Sequence, residues 1–178
     1  MAVNTNSGGS GRGVQHGNAA GVNDLPNNNF TVLIFFTRAA NGAAQYLASK
    51  WNAANNGWRF FIDNTGAEGK LQAQAIYTVT GQNVRTNSAV AALNTPSIAA
   101  AVWDASTFTW QLACSPILTK TAMAFDAITV LQTKSGTYVT DVLDNYQSFQ
   151  GAASLPLLGL GHRIAVVKRK MTIAEIDD

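Results

Sequence analysis

From Phe30 onward the apolar residues come in short runs broken by turn residues, and no long stripe with a 3.6-residue period appears. "FTVLIFFTR" (Phe30 to Arg38) is β-branched and aromatic, too short for a helix of that composition, and bounded by "PNNN" and "AANG"; it predicts a buried strand. "GWRFFIDNTG" (Gly57 to Gly66) closes on a turn, and "KLQAQAIYTVTG" (Lys70 to Gly81) sets Leu71, Ala73, Ala75 and Tyr77 against Gln72, Gln74 and Ile76. Together they predict a hairpin. "IAAAVWD" and "FTWQLACS" flank Asp104, Ala105 and Ser106, a second hairpin signal. Strand-length runs follow in "MAFDAITVLQT", "TYVTDVLDNYQSF" and "HRIAVVKR". On composition alone, "NGAAQYLASKWNAANN" (41–56) and "NSAVAALN" (87–94) favour helices. The class predicted is all-β, an antiparallel sandwich.

Residues 1–29 have a different texture. They hold six glycines and seven asparagines, with isolated apolar residues at Val3, Val14, Val22 and Leu25. Such a stretch cannot bury enough apolar surface to offset its ordering entropy, so it predicts an extended arm that gains order by packing on neighbouring subunits. The chain therefore divides into an arm (1–29) and a sandwich domain (30–178).

Composition narrows the function classes. Charged residues make up 12% of the chain, about half the usual share, which implies a neutral surface rich in amides and hydroxyls. The net charge is +2 and the basic residues are scattered apart from Lys168, Arg169 and Lys170. One short run does not make a phosphate-binding face, so nucleic acid is not an expected partner. That run reads as a solvated strand end, or else as a salt-sensitive contact with an acidic neighbour. The opening residues lack the apolar block of a signal peptide and no run is long enough to span a membrane; synthesis in the cytoplasm and no membrane partner are expected. Cys114 has no cysteine to pair with and reads as a small core residue.

Catalytic and metal signals are weak. Asp141 and Asp144 are the nearest internal acid pair, but three residues apart they point to opposite faces of a strand, unlike the paired carboxylates of glycoside hydrolysis. His16 lies in the arm, and His162 follows Gly161 with no nucleophile motif nearby. Asp63, Asn64, Asp104, Asp144 and Asn145 are conceivable calcium ligands, yet turn chemistry explains each of them. No catalytic residue, metal or cofactor is assigned, and the protein is expected not to be an enzyme. Trp58 and Trp110 sit in strand patterns with apolar neighbours and read as core. Trp51, beside Asn52 and Asn55, is the best candidate for an exposed ring that stacks on sugar.

Four stretches carry a family resemblance: "NNFTVLIFFTR", "YLASKWNAANNGWRFFIDNTGAEGKLQAQA", "AAAVWDASTFTWQLAC" and "LPLLGLGHRIAVVKRKMTIAEID". In this order they resemble the concanavalin A-like lectin/glucanase superfamily, in particular the laminin-G-like jelly rolls of tailed-bacteriophage structural proteins. The resemblance implies a jelly-roll sandwich and replaces the 41–56 helix with a loop and strand. It also implies a terminal turn of helix, where Thr172 and Glu175 have capping-box spacing and Ile173 and Ile176 pack under the sandwich.

The function it implies is that of a non-enzymatic virion protein: a capsid decoration or related accessory component, located in the particle. Its partners would be capsid or tail subunits, with further copies of the chain forming a homo-oligomer in the assembly. Val3, Val14, Val22 and Leu25 would be buried on those neighbours. The alternative is a lectin-like module that attaches to a receptor or surface by binding carbohydrate through Trp51, Asn52 and Asn55.

Overall fold

The computed structural model describes residues 3–4, 14–15, 25–41, 44–52, 56–63, 69–76, 81–86, 92–119, 122–132, 147–148 and 157–178. At 3–4, 14–15, 51–52, 56, 76, 81–86, 128–132 and 147–148 it describes the backbone alone. The described residues form twelve strands: β1 Val3–Asn4, β2 Val14–Gln15, β3 Phe30–Arg38, β4 Gln45–Asn52, β5 Asn56–Asp63, β6 Lys70–Ile76, β7 Gly81–Thr86, β8 Pro96–Asp104, β9 Thr109–Pro116, β10 Ile128–Gln132, β11 Gln147–Ser148 and β12 Gly159–Val167. A 3-10 turn, Leu25–Asn27, precedes β3, and a short helix, α1 (Ile173–Asp177), follows β12.

The strands make two antiparallel sheets, ordered β1-β12-β3-β8-β9 and β10-β7-β6-β5-β4-β11-β2. The expected class holds, and so do both hairpins, β5–β6 and β8–β9. "QYLASKWN" is strand β4, not helix. Residues 87–91 of the other composition-based helix, the Asp141 and Asp144 pair, Asn64 and Asn145 lie outside the described residues.

Alternation along each strand builds the core. Phe30, Val32, Ile34 and Phe36 of β3 join Ala99, Ala101 and Trp103 of β8 and Trp110 and Leu112 of β9. They face Leu47 and Ala48 of β4, Trp58, Phe60 and Ile62 of β5, and Leu71, Ala73 and Ala75 of β6. Trp58 and Trp110 are fully buried, as their neighbours implied, and Cys114 packs half-buried against the same core.

One of the four residues expected to meet neighbouring subunits, Leu25, departs from that role. Leu25 is buried in this chain's own core, so it is not available to a neighbouring subunit. The turn that carries it is stitched to β8: the Trp103 indole N–H donates to Pro26 O at 2.9 Å, and the Ala105 N–H donates to Asn29 Oδ1 at 2.8 Å. Val3 and Val14 lie in β1 and β2, whose backbones pair with β12 and β11 of the same chain. A short strand gains its hydrogen bonds from the nearest open sheet edge, and here both edges are intramolecular. Val22 and His16 lie outside the described residues.

The chain end follows the capping-box reading. The Glu175 N–H donates to Thr172 Oγ1 at 3.4 Å and the Thr172 N–H donates to Glu175 Oε2 at 2.8 Å. Ile176 is buried with Ala100, Val102, Ala113 and Met123 in a second apolar cluster on the outer face of the five-stranded sheet, with Ile173 packed against it. The basic run beside α1 makes acidic contacts: Lys170 pairs with Asp104 at 2.5 Å and Arg169 with Glu175 at 2.6 Å, while Lys168 is exposed. Asp104 Oδ1 also accepts from the Ser106 N–H at 2.9 Å, the turn role expected of it.

Two predictions concern this tail. Thr172→Ala removes the cap and is expected to cost about 1 kcal/mol in urea unfolding. Hydrogen bonds from Lys170, then Ser106, hold the Asp104 carboxyl well below the usual carboxylate range. A carboxyl depressed in the fold stabilises it above the unfolded-state pKa and loses that contribution as pH falls through the folded value. Asp104→Asn should therefore melt lower than the parent at neutral pH, and the gap should shrink as the buffer is taken below about pH 3. A gap unchanged by acid excludes the role.

Candidate functional site

The outer face of the seven-stranded sheet carries a cluster that is absent from the inter-sheet core. Backbone register aligns Tyr46 of β4 with Phe61 of β5, Phe61 with Gln72 of β6, and Gln72 with Arg85 of β7. One level along, Ser49, Arg59, Gln74 and Asn83 are in register. Ser49 is further aligned with Gln147 and Gln15, and Asn83 with Gln132. That level is polar on every strand of the sheet, which a solvated or ligand-binding face requires and a core face forbids.

Arg59 is the centre of the cluster. Its Nε–H donates to Gln74 Oε1 at 2.6 Å and its Nη1 donates to the Tyr46 hydroxyl. The guanidinium carbon lies 4.8 Å from the Phe61 ring centre and 5.7 Å from that of Tyr46. Those two rings stack on each other at 5.4 Å with 19° between planes. A shift in register between Tyr46 and Ala48 brings Tyr46 level with Phe61 while leaving Leu47 and Ala48 in the core. Tyr46, Phe61, Gln72 and Gln74 are buried and Arg59 is half-buried, so the arginine is the member that meets solvent and the others set its direction.

Chemically, this group offers a planar cation, amides, a phenol and aromatic faces. Its described members are hydrogen-bond donors, acceptors and a cation, the groups by which polar ligands are recognised. His162, on β12, lies on the other sheet, where its Nε2 hydrogen-bonds Thr37 Oγ1 at 2.9 Å. Of the residues expected to bind sugar, Trp51 and Asn52 belong to β4, with backbones opposite Gly57 and Asn56. Their side chains, and Asn55 entirely, lie outside the described residues. Trp51 stands two residues beyond Ser49 on the strand that carries Tyr46.

Tyr46, Arg59, Phe61 and Gln72 were not singled out as a site by the sequence reading. The signal available was an arginine between two core aromatics in "WRF" and glutamines alternating with core residues in "LQAQA".

Comparison with known proteins places this architecture. No protein-family model and no curated protein sequence matches the chain. Among solved structures, the CBM40 module of the Ruminococcus gnavus IT-sialidase, bound to α2,3-sialyllactose, superposes with a TM-score of 0.71 at 14% identity, covering 99% of this chain and 96% of that one. A leech intramolecular trans-sialidase matches with a TM-score of 0.69 at 16% identity over 99% of this chain and 27% of its own. Tailspike protein 2 of the Escherichia coli O157:H7 bacteriophage CAB120 matches with a TM-score of 0.55 at 12% identity over 82% of this chain and 20% of its own. The protein is thus a lectin-like β-sandwich. The Ruminococcus gnavus module is one that it matches over nearly the whole of both chains.

Proposed function

We propose that this protein is a non-enzymatic carbohydrate-binding module that holds glycan on the outer face of the seven-stranded sheet, around Arg59. The observation that carries this reading is the Arg59 cluster: a half-buried guanidinium directed by Tyr46 and Gln74, set in a level of polar residues on a lectin-like sandwich. The fold-level likeness to a module bound to sialyllactose supports it. Trp51, on the neighbouring strand, supplies an aromatic face for a sugar ring in this proposal. A guanidinium pairs best with a carboxylate, which favours acidic sugars over neutral ones.

A second reading sets the module in a virion, as an accessory protein among capsid or tail subunits, with residues 1–29 as an arm and 30–178 as the sandwich. The tailspike likeness supports it. The comparisons give it less support than glycan binding, since the match is weaker and spans a fifth of the tailspike. The two readings are compatible where a particle uses the module to attach.

Calorimetry with sialyllactose and with lactose checks the first reading. The acidic sugar is expected to bind more tightly, and Arg59→Ala to weaken it at least 10-fold, the equivalent of about 1.4 kcal/mol for a lost charge-assisted bond. Equal binding by the parent and Arg59→Ala excludes the site, and silence across a broad glycan array excludes the function. For the virion reading, the protein should copurify with particles at a fixed copy number, and deletion of residues 1–24, which spares the buried Leu25, should abolish incorporation; particles that retain the shortened protein refute anchoring by the arm.

A further inference from the structure

The five-stranded sheet presents a different outer face. Cross-strand partners share a face, so Arg163 of β12, Phe35 of β3, Ile98 of β8 and Ser115 of β9 form one row across it. Leu160, Thr37 and Pro96 form the next row toward the end of the sheet. The second apolar cluster, under Met123 and α1, covers Ala100, Val102 and Ala113 and reaches the first of these rows at Ile98, while Phe35, Thr37, Pro96 and Leu160 are not part of it.

Two adjoining hollows of about 460 and 350 Å³ lie there and share Phe35 and Ile117. Ile117, 40% exposed, lines both hollows, and the other large apolar side chains exposed among the described residues are Leu118 at 76%, Leu93 at 39% and Leu160 at 38%. The Ile117 N–H donates to Pro96 O at 2.9 Å, and Leu93 lies three residues before Pro96, so the four converge on one end of the sheet. Scattered exposed leucines are ordinary, but several at one end of a sheet beside a groove with charged ends suit a docking surface.

The charges on the rim decide the occupant. Arg163 and His162 line one end of the groove, and Asp177 and Asp178 line the other. The row from β12 to β9 spans three strand spacings, about 14 Å. We propose that a second copy of this chain docks here about a two-fold axis through the Phe35 and Ile98 floor. Rotation by half a turn brings Arg163 against Asp178 of the partner subunit at both ends, so the charges of the patch are self-complementary as a two-fold contact requires. An unrelated partner would need the same bipolar pattern by coincidence. The groove is small, which implies a dimer that dissociates in the micromolar range.

The two sheets have their outer faces on opposite sides of the sandwich, so this dimer is back to back. Its two Arg59 faces look away from each other and bridge two glycan-bearing surfaces rather than gripping one. This consequence, unlike the dimer itself, rests on the proposed glycan binding.

Sedimentation velocity on the full chain, from about 5 to 500 µM and without glycan, tests the dimer. A monomer–dimer equilibrium is expected, weakened about 10-fold by Leu118→Glu, by Arg163→Asp and by Asp178→Arg, and restored when the last two are combined. Leu118, Arg163 and Asp178 are exposed, and unchanged melting curves confirm that the variants fold. A monomer throughout, an equilibrium indifferent to the variants, or a double variant no tighter than the singles overturns the proposal. Bridging of sialyllactose-coated beads by the parent but not by Leu118→Glu reads the consequence. Failure of the beads alone, with the equilibrium intact, counts against glycan binding and not against the dimer.

Discussion

Phe30 ties the two sheets together. Its ring centre lies 5.5 Å from that of Trp58 in the seven-stranded sheet and 5.3 Å from Trp110 in its own, and Trp110 in turn is 5.0 Å from Trp103. Edge-on and tilted ring pairs contribute about 1 kcal/mol each beyond their buried area. They also lock rotation and spacing, because flat rings fit in few ways. Every other alternation follows from that contact: once Phe30, Trp58 and Trp110 point inward, Arg59 and Phe61 must point out on one sheet, and Phe35 and Ile98 on the other. Trp103 extends the same block to the chain entry by donating to Pro26 O, which draws Leu25 into the core. An entry segment held this way cannot also serve as a free anchor at Leu25.

Much of the fold is legible along the chain because the features that specify it are local. Strand β3 needs only a β-branched run with turn residues at each end, and the β8–β9 hairpin needs only Asp104 with Ser106 to accept and donate within the turn. The cap on α1 is legible for the same reason, since Thr172 and Glu175 find each other within one turn. Strand β4 is not legible from composition: alanines in "AAQYLASKW" favour a helix, and the pairing with β5 and the register shift after Tyr46 override that preference. The family resemblance supplied what propensity could not.

The site is harder to read for a geometric reason. Tyr46, Arg59 and Gln74 belong to three strands, and their contact exists only in one register; a slip of one residue would send Arg59 toward the core. Periodicity distinguishes inside from outside. It does not say which outward residues of different strands will meet, nor that Tyr46 and Phe61 will be buried although they lie outside the core. Conversely, Trp51 attracted notice because tryptophan beside asparagine is a visible pattern, whereas an arginine between two aromatics reads at first as an ordinary strand.

The two outer faces differ in what water does for them. Around Arg59 the polar groups are already satisfied by one another, so a ligand that competes there must bring charge or a ring of hydroxyls to replace the hydration it displaces. Around Phe35 and Ile117 the surface is apolar, and burial itself is favourable wherever a shape fits. In the roles proposed for them, the first face recognises its ligand selectively and directionally, while the second gains from apolar burial and relies on Arg163 and Asp178 for orientation. A sandwich fixed through Phe30 keeps these faces apart, so occupying one leaves the other open.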